Sequence, residues 1–196
     1  MITVVLATHN AHKVVELRRI LDGLPLALVS GRDVDLPEVD ETGDTFAANA
    51  LLKAHACVAA TGLPAIADDS GLEVDALGGD PGVRSARYAG DHGDDEANLR
   101  LVLERLGASP RRSGRFVCVA ALALPDGSDV TETGVMQGVL TDAPRGDGGF
   151  GYDPIFVADG QQRTNAELSA DEKDAISHRG AAFRALRPHV ARLARD

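Results

Sequence analysis

The segment RFVCVAALAL, residues 115–124, is apolar at every position after Arg115. A run with no polar alternation reads as a strand in the interior of a sheet. PDG turns the chain at 125–127, and DVTETGVMQGVL at 129–140 follows as an antiparallel partner. The other apolar stretches are organised around helices. ITVVLA at 2–7 is a short buried strand. Val14, Leu17 and Leu21 then share one helix face, so a helix starts near residue 11 with Asn10 as its N-cap. Residues 24–45 are loop-rich, with one short strand at LALVS. A second helix runs from Asp44 or Thr45 to about residue 60 and stops at Gly62 and Pro64. Being apolar nearly all round, it is expected to be largely buried. LPAIA leads into DDSG, a Gly-rich loop covers 78–93, and Asp94 opens a helix with Leu99, Val102, Leu103 and Leu106 on one face. After a loop at 141–153, PIFV is a short strand. A last helical region covers about 171–194, where Pro188 is expected to kink it or split its end. The pattern is that of an α/β domain with a mixed sheet.

With 196 residues and 44% hydrophobic content, the chain has the size of one globular domain. It has no apolar run of the ~18 residues a membrane helix needs. MITVVLATHN lacks the charged start and cleavage site of a signal peptide. Cys57 and Cys118 lie in apolar runs without metal-ligand spacing and read as buried thiols. A net charge of −10 excludes a general binder of nucleic acid or anionic membranes. It does not exclude a small phosphorylated ligand, because a divalent metal and a few cations reverse the local sign. Of the 20 basic residues only Lys13, Lys53 and Lys173 are lysines. In a chain that otherwise uses arginine, they mark places that need a compact ammonium.

Five stretches carry the chemistry. THNAHK, residues 8–13, joins a strand to a helix, and such a loop offers N–H groups and the positive helix end to phosphate. Lys13 adds a charge, while Thr8 and Asn10 offer further donors; neither a Walker loop nor GxGxxG is present. In ETGDTFAANALLKA, Asn49 and Lys53 are four apart and share a helix face. That face is either the helix's single wet stripe or a pair of side chains aimed at a polar site. Glu41 is either a capping carboxylate or a metal ligand.

In IADDSG, Asp68 and Asp69 would point to opposite sides of an extended strand. Ser70-Gly71 instead suggests a turn that swings both acids to one side. Two close carboxylates resist joint ionisation unless a cation intervenes, and Mg2+ with phosphate oxygens would supply one. One aspartate would then hold metal while the other deprotonates water. GDGGFGYDP at 146–154 combines flexible glycines with Phe150 and Tyr152, flat faces on which a purine could stack. In DEKDAISHRG, Ser177 is an expected N-cap that puts His178 and Arg179 in a first helical turn. Cations there suggest an anionic or carbonyl-bearing ligand.

Those stretches, VVLATHNAHKVVEL, ETGDTFAANALLKA, IADDSGLEVDALGGDPGVRSARYAG, GGFGYDPIF and EKDAISHRG, strongly resemble in content and order the inosine/xanthosine triphosphate pyrophosphatase family. The resemblance covers nearly the whole chain. It implies an elongated mixed β-sheet flanked by helices, with two lobes around a central active-site cleft, residues 1–196 acting as one such domain. It implies Mg2+-dependent hydrolysis of ITP, dITP and XTP to the monophosphate and pyrophosphate, cleansing the nucleotide pool. It also implies a cytoplasmic homodimer. Carried over by position, Asp69 is the catalytic base, and Glu41 with Asp68 and Asp69 forms the metal site. Which aspartate ligates directly stays open. Thr8, His9, Asn10, Ala11, His12 and Lys13 contact the triphosphate, and Lys53 and Ser70 approach it. Phe150, Gly151, Tyr152 and Asp153 frame the nucleoside. Lys173, His178 and Arg179 bind base and phosphate, with Arg179 or backbone N–H groups aimed at the 6-oxo group that adenosine lacks. Two departures stand out: His9 sits where many members have glycine, and Pro188 interrupts the last helix.

Overall fold

The computed structural model describes residues 2–37, 39–90 and 93–193. Its strands are β1 (Ile2–Leu6), β2 (Leu26–Ser30), β3 (Ala65–Val74), β4 (Ser113–Ala123), β5 (Asp129–Leu140) and β6 (Phe156–Ala158). They form one mixed sheet in the order β2-β1-β3-β4-β5-β6. β1 pairs in parallel with β2 and β3, whereas β5 and β6 are antiparallel. The helices are α1 (Ala11–Ile20), α2 (Phe46–Thr61), α3 (Asp95–Leu106), α4 (Ala170–Ile176) and α5 (His178–Arg192). Among the described residues, no helix is long and apolar enough to cross a membrane.

The chain divides into two compact units. The first comprises Met1–Asp69, Cys118–Gly134 and Arg179–Asp196, and the second Ser70–Val117 and Val135–His178. Strands β3, β4 and β5 therefore each contribute residues to both. In the first unit, Val4, Leu6, Ile66, Cys118 and Leu122 pack with Leu17 of α1, with its C-cap Leu21 and with Phe183, Leu186 and Val190 of α5. Strand alternation sends Val5 and Ala65 the other way, to Cys57 of α2. In the second unit, Phe116, Met136, Leu140 and Phe156 pack with Leu99, Val102 and Leu106 of α3 and with Tyr88 and Tyr152. Each large side chain so buried contributes about 1.5–3 kcal/mol. Both cysteines are free and buried. Burial raises the Cys57 thiol to about 11 and lifts Cys118 further, so both are inert packing groups.

Four expectations need correction. Strand β3 runs straight through DDSG to Val74, so no turn starts at Ser70. Helix α2 buries one stripe, Phe46, Asn49, Ala50, Ala54 and Cys57, because a helix lying on a sheet covers one face; most of its other positions are half-buried. The last helical region is two helices that meet at Ser177, whose ψ of 151° is extended. The break falls there and not at Pro188, which lies inside α5 and costs that helix one backbone donor. Asp153–Ile155 forms a 3-10 turn with proline early in it, which delays the last strand to Phe156.

β5 and β6 approach so closely that glycine is required on β5. A Cβ added at Gly138 would lie 2.2 Å from the Val157 carbonyl oxygen. Gly138→Ala is expected to lower the urea midpoint by the equivalent of about 1–3 kcal/mol, measured on the purified protein. An unchanged midpoint would show that the sheet edge at β6 gives way freely.

Candidate active site

Because β3 stays extended through residues 68 and 69, its pleat sends the two aspartates to opposite faces. Each therefore meets its own set of partners. Asp68 is 2% exposed and Asp69 6% exposed, so neither relies on bulk water.

The Asp68 Oδ2 atom accepts from Lys13 Nζ at 3.0 Å and from Arg179 Nε and Nη2, each at 3.3 Å. Arg179 Nη1 donates to Glu16 Oε2 at 2.7 Å. The result is a chain of alternating charge, Lys13, Asp68, Arg179 and Glu16, of which the last three are buried. Burial alone would raise the Asp68 carboxyl, but the charges of Lys13 and Arg179 outweigh it and hold the group well below the usual range. Burial likewise disfavours the Arg179 cation, and Asp68 and Glu16 overturn that effect. A buried guanidinium without such partners would be prohibitive. This explains how α5 tolerates Arg179 in its first turn: two carboxylates offset the cation at the positive helix end. Arg179, expected as a donor to the base, thus has its guanidinium committed to carboxylates.

On the opposite face, Asp69 Oδ2 accepts from Asn49 Nδ2 at 3.0 Å, and Asp69 Oδ1 lies 3.8 Å from Lys53 Nζ. Lys53 Nζ also donates to Glu41 Oε1 at 2.5 Å. Asn49 and Lys53 therefore use their shared face of α2 to reach a buried acid and do not form a wet stripe. Glu41, from an irregular segment, is an ion-pair partner and caps no helix; Thr45 does that by accepting from Ala48 N. Asn49 Oδ1 accepts from Gly43 N at 2.8 Å, which ties the Glu41 segment to α2. Burial raises the Asp69 carboxyl above its usual value; Lys53 opposes the shift and Glu41 adds to it. For Lys53, burial is outweighed by Asp69, Glu41 and Asp68, and its ammonium is held above the ordinary lysine value. The strand face thus carries a carboxylate that prefers its proton more than usual, with a cation at hand.

Among the described residues no three His, Cys, Asp or Glu side chains are gathered closely enough to hold a metal ion together. The donor chemistry nevertheless suits a hard divalent cation. The Lys53 ammonium occupies a position flanked by Glu41 and Asp69 oxygens, and both are ligands that Mg2+ accepts. Asp68 is committed to Lys13 and Arg179, so Glu41 and Asp69 are the two of the three expected ligands that converge on one cation.

The expected phosphate loop takes its shape from its own side chains. Asn10 caps α1 and accepts from the backbone N–H of His12 and Lys13, while Thr8 Oγ1 accepts from Asn10 N. The Thr8 hydroxyl hydrogen and the Asn10 amide group are the donors those side chains can still offer. His9 turns toward the chain and bonds the Leu36 carbonyl at 3.0 Å through Nε2. Asn10, Ala11 and His12 are exposed.

A second group lies in the other unit. Asp153 is 2% exposed, and its Oδ2 accepts from Lys173 Nζ at 2.6 Å and from Phe150 N at 2.9 Å. The Lys173 ammonium sits 5.0 Å from the Phe150 ring centroid, a cation against an aromatic face. A Cβ at Gly149, where φ is +70°, would overlap Asp153 Oδ2, so glycine alone permits this turn. Gly151 N donates to Asp95 Oδ2. Tyr152, expected to offer a stacking face, is a core residue: its ring is 5% exposed and its hydroxyl donates to the Ser85 carbonyl at 2.7 Å. His178 stacks on Phe116 at 4.7 Å between centroids, and half-buried Ser70 belongs to the same unit. All three lysines thus face a buried or half-buried carboxylate. Sequence reasoning missed Glu16 and Asn165. A buried acid beside Leu17 on α1 gave no local sign of its partner, which lies 163 residues on.

A model of the Ham1 family matches residues 4–189. A dITP/XTP pyrophosphatase of Streptomyces coelicolor is 58% identical, with 98% of this chain and 99% of that protein covered. Another protein of that name, from Geobacter sulfurreducens, is 50% identical over 97% of both. Among solved structures, a HAM1 protein from Coxiella burnetii superposes with a TM-score of 0.89 at 42% identity, covering 98% of this chain and all of that one.

The Asp68 charges make a prediction about acid stability. Its folded pKa lies below the unfolded value of about 3.9, so the stability it contributes is fully present above roughly pH 4 and drains away as pH falls toward the folded value. Urea midpoints should decline in that window. Asp68→Asn, which leaves Arg179 with one carboxylate, is expected to cost about 3–5 kcal/mol at neutral pH and to flatten the acid-side decline. A variant that keeps the wild-type slope would remove Asp68 as its source.

Proposed function

The chain belongs to the Ham1 family, and from that premise we propose that it hydrolyses non-standard purine nucleoside triphosphates, dITP, ITP and XTP, to the monophosphate and pyrophosphate. The observation that carries this reading is the separation of two adjacent aspartates on β3. One is locked as a charged group by Lys13 and Arg179, and the other is biased toward proton uptake beside Lys53 and Glu41. A site for binding alone has no use for that asymmetry.

In this reading Asp69 is the general base. Water adds its oxygen to the α-phosphorus, the bond from that phosphorus to the bridging oxygen breaks, and pyrophosphate leaves with the bond's electrons. The water proton goes to Asp69, whose raised pKa favours acceptance. Asn49 holds the other side of that carboxylate and fixes its direction. Lys53 and Lys13 neutralise the polyanion, with the hydroxyl of Thr8, the Asn10 amide and the His9 and Ala11 backbone N–H groups as further phosphate contacts. Ser70 is the next residue along the strand and completes this set. Arg179, itself held by Glu16, keeps Asp68 charged, and Asp68 in turn orients Lys13. Glu41 and Asp69 would hold Mg2+, with Asp68 behind them; bound, the ion neutralises the phosphate oxygens on which charge builds.

The group around Asp153 would take the nucleoside. Phe150, against which Lys173 rests, is the base-contacting ring, and Gly151 with the backbone at Tyr152 and Asp153 allows close approach. Lys173 and His178 supply donors to a 6-oxo purine. We further propose that residues 1–196 act as one catalytic domain, and that the protein works as a homodimer in the cytoplasm on free nucleotides, without nucleic-acid or membrane partners.

Incubation with dITP and Mg2+ should release dIMP and pyrophosphate in equal amounts; orthophosphate would instead indicate a general triphosphatase. Asp69→Asn should lower kcat by about 10²–10⁴-fold with the thermal midpoint retained. Wild-type turnover in that variant would reassign the base.

A further inference from the structure

Asn165 lies in the 3-10 turn Asn165–Glu167, is 1% exposed, and donates from Nδ2 to Asp153 Oδ1 at 3.2 Å. We propose that Asn165 is a positioning residue for the nucleoside end of the site, acting through Asp153 on Lys173 and Phe150. The inference rests on the functional reading above.

Asp153 is the centre of this arrangement. Its Oδ2 takes the Lys173 ammonium and the Phe150 N–H, so its carboxylate plane sets where the cation and the aromatic ring stand. Oδ2 alone would let the carboxylate swivel about its χ2 torsion, which is broad for aspartate. A donor at Oδ1 closes that freedom, and Asn165 provides it. The amide is oriented by charge: reversing it would put Oδ1 against a carboxylate oxygen.

The turn that bears Asn165 is held firmly. Thr164, fully buried, donates from its hydroxyl to the Arg145 carbonyl at 2.7 Å, and Gly148 N donates to the Ala166 carbonyl at 3.0 Å. Thr164 and Glu167 form a reciprocal capping box across the turn. A Cβ at Gly146 or Gly148 would meet the Ala166 backbone at 2.6–2.8 Å, so the loop lies directly against the turn. Asn165 is thus mounted on a rigid support while the loop it serves is rich in glycine.

The other end of the amide argues that this is function and not packing. Asn165 Oδ1 is buried with no hydrogen-bond partner. An apolar side chain would avoid that orphan acceptor but would leave buried Asp153 Oδ1 without its donor, so asparagine carries one orphan in order to keep the bond to Asp153. The cost is intelligible if what matters is the hydrogen bond to Asp153.

Asn165→Leu removes the donor, fills similar space and relieves the orphan acceptor. The expected result is a KM for dITP raised about tenfold, the size of effect a lost hydrogen bond to a charged group gives. kcat should stay within about twofold, while the thermal midpoint falls modestly because buried Asp153 Oδ1 loses its donor. Inhibition by inorganic tripolyphosphate, which has no nucleoside, should stay at its wild-type strength. Asn165→Ala serves as the second variant should leucine disturb folding, with the same kinetic pattern expected. An unchanged KM in either folded variant overturns the proposal. So does a fall in kcat and midpoint with KM retained, which is the signature of a merely structural residue. Wild-type protein inert toward dITP would instead overturn the functional reading, and this inference with it.

Discussion

The pleat of β3 is the constraint from which the rest of the chemistry follows. Two adjacent carboxylates on one surface would repel, and one would have to give up its charge. On opposite faces of a strand each accepts its own hydrogen bonds, while the charges of Lys13 and Lys53 act on both. Asp68 receives two cations and stays ionised despite complete burial. Asp69 receives an amide, a more distant ammonium and a nearby glutamate, and leans toward its protonated form. One strand thereby presents a fixed charge and a proton acceptor at consecutive positions.

That division of labour explains the odd composition. Lysine appears where the cation must be compact: Lys13 at Asp68, Lys53 between Glu41 and Asp69, and Lys173 at Asp153. At Arg179 the planar guanidinium uses separate nitrogens to reach Asp68 and Glu16 at hydrogen-bond distance. The overall charge of −10 coexists with this local balance because each buried acid has its partner built in.

Local structure was legible in the sequence because its determinants are local. The Asn10 cap, the helix stop at Gly62 and the apolar strand at 115–124 all read correctly from periodicity and capping chemistry. The site was only half legible. That Asn49 and Lys53 share a face was readable; that the face meets Asp69 was not. Ser70-Gly71 looked like a turn because serine and glycine usually make one, whereas their place inside a ten-residue strand of the sheet overrides that tendency. Tyr152 looked like a loop aromatic because nothing nearby in sequence announces that its hydroxyl reaches residue 85. The charge chain was least legible of all: its links join residues 55, 111 and 163 positions apart.

The most direct test of this account is a pH titration of the two carboxyl carbons by NMR, in protein carrying 13C-labelled aspartate, assigned with Asp68→Asn and Asp69→Asn. The account predicts that Asp69 titrates above the ordinary aspartate range while Asp68 remains charged to well below it. If the two titrate together, or if Asp68 takes up its proton first, the separation of roles on β3 is wrong.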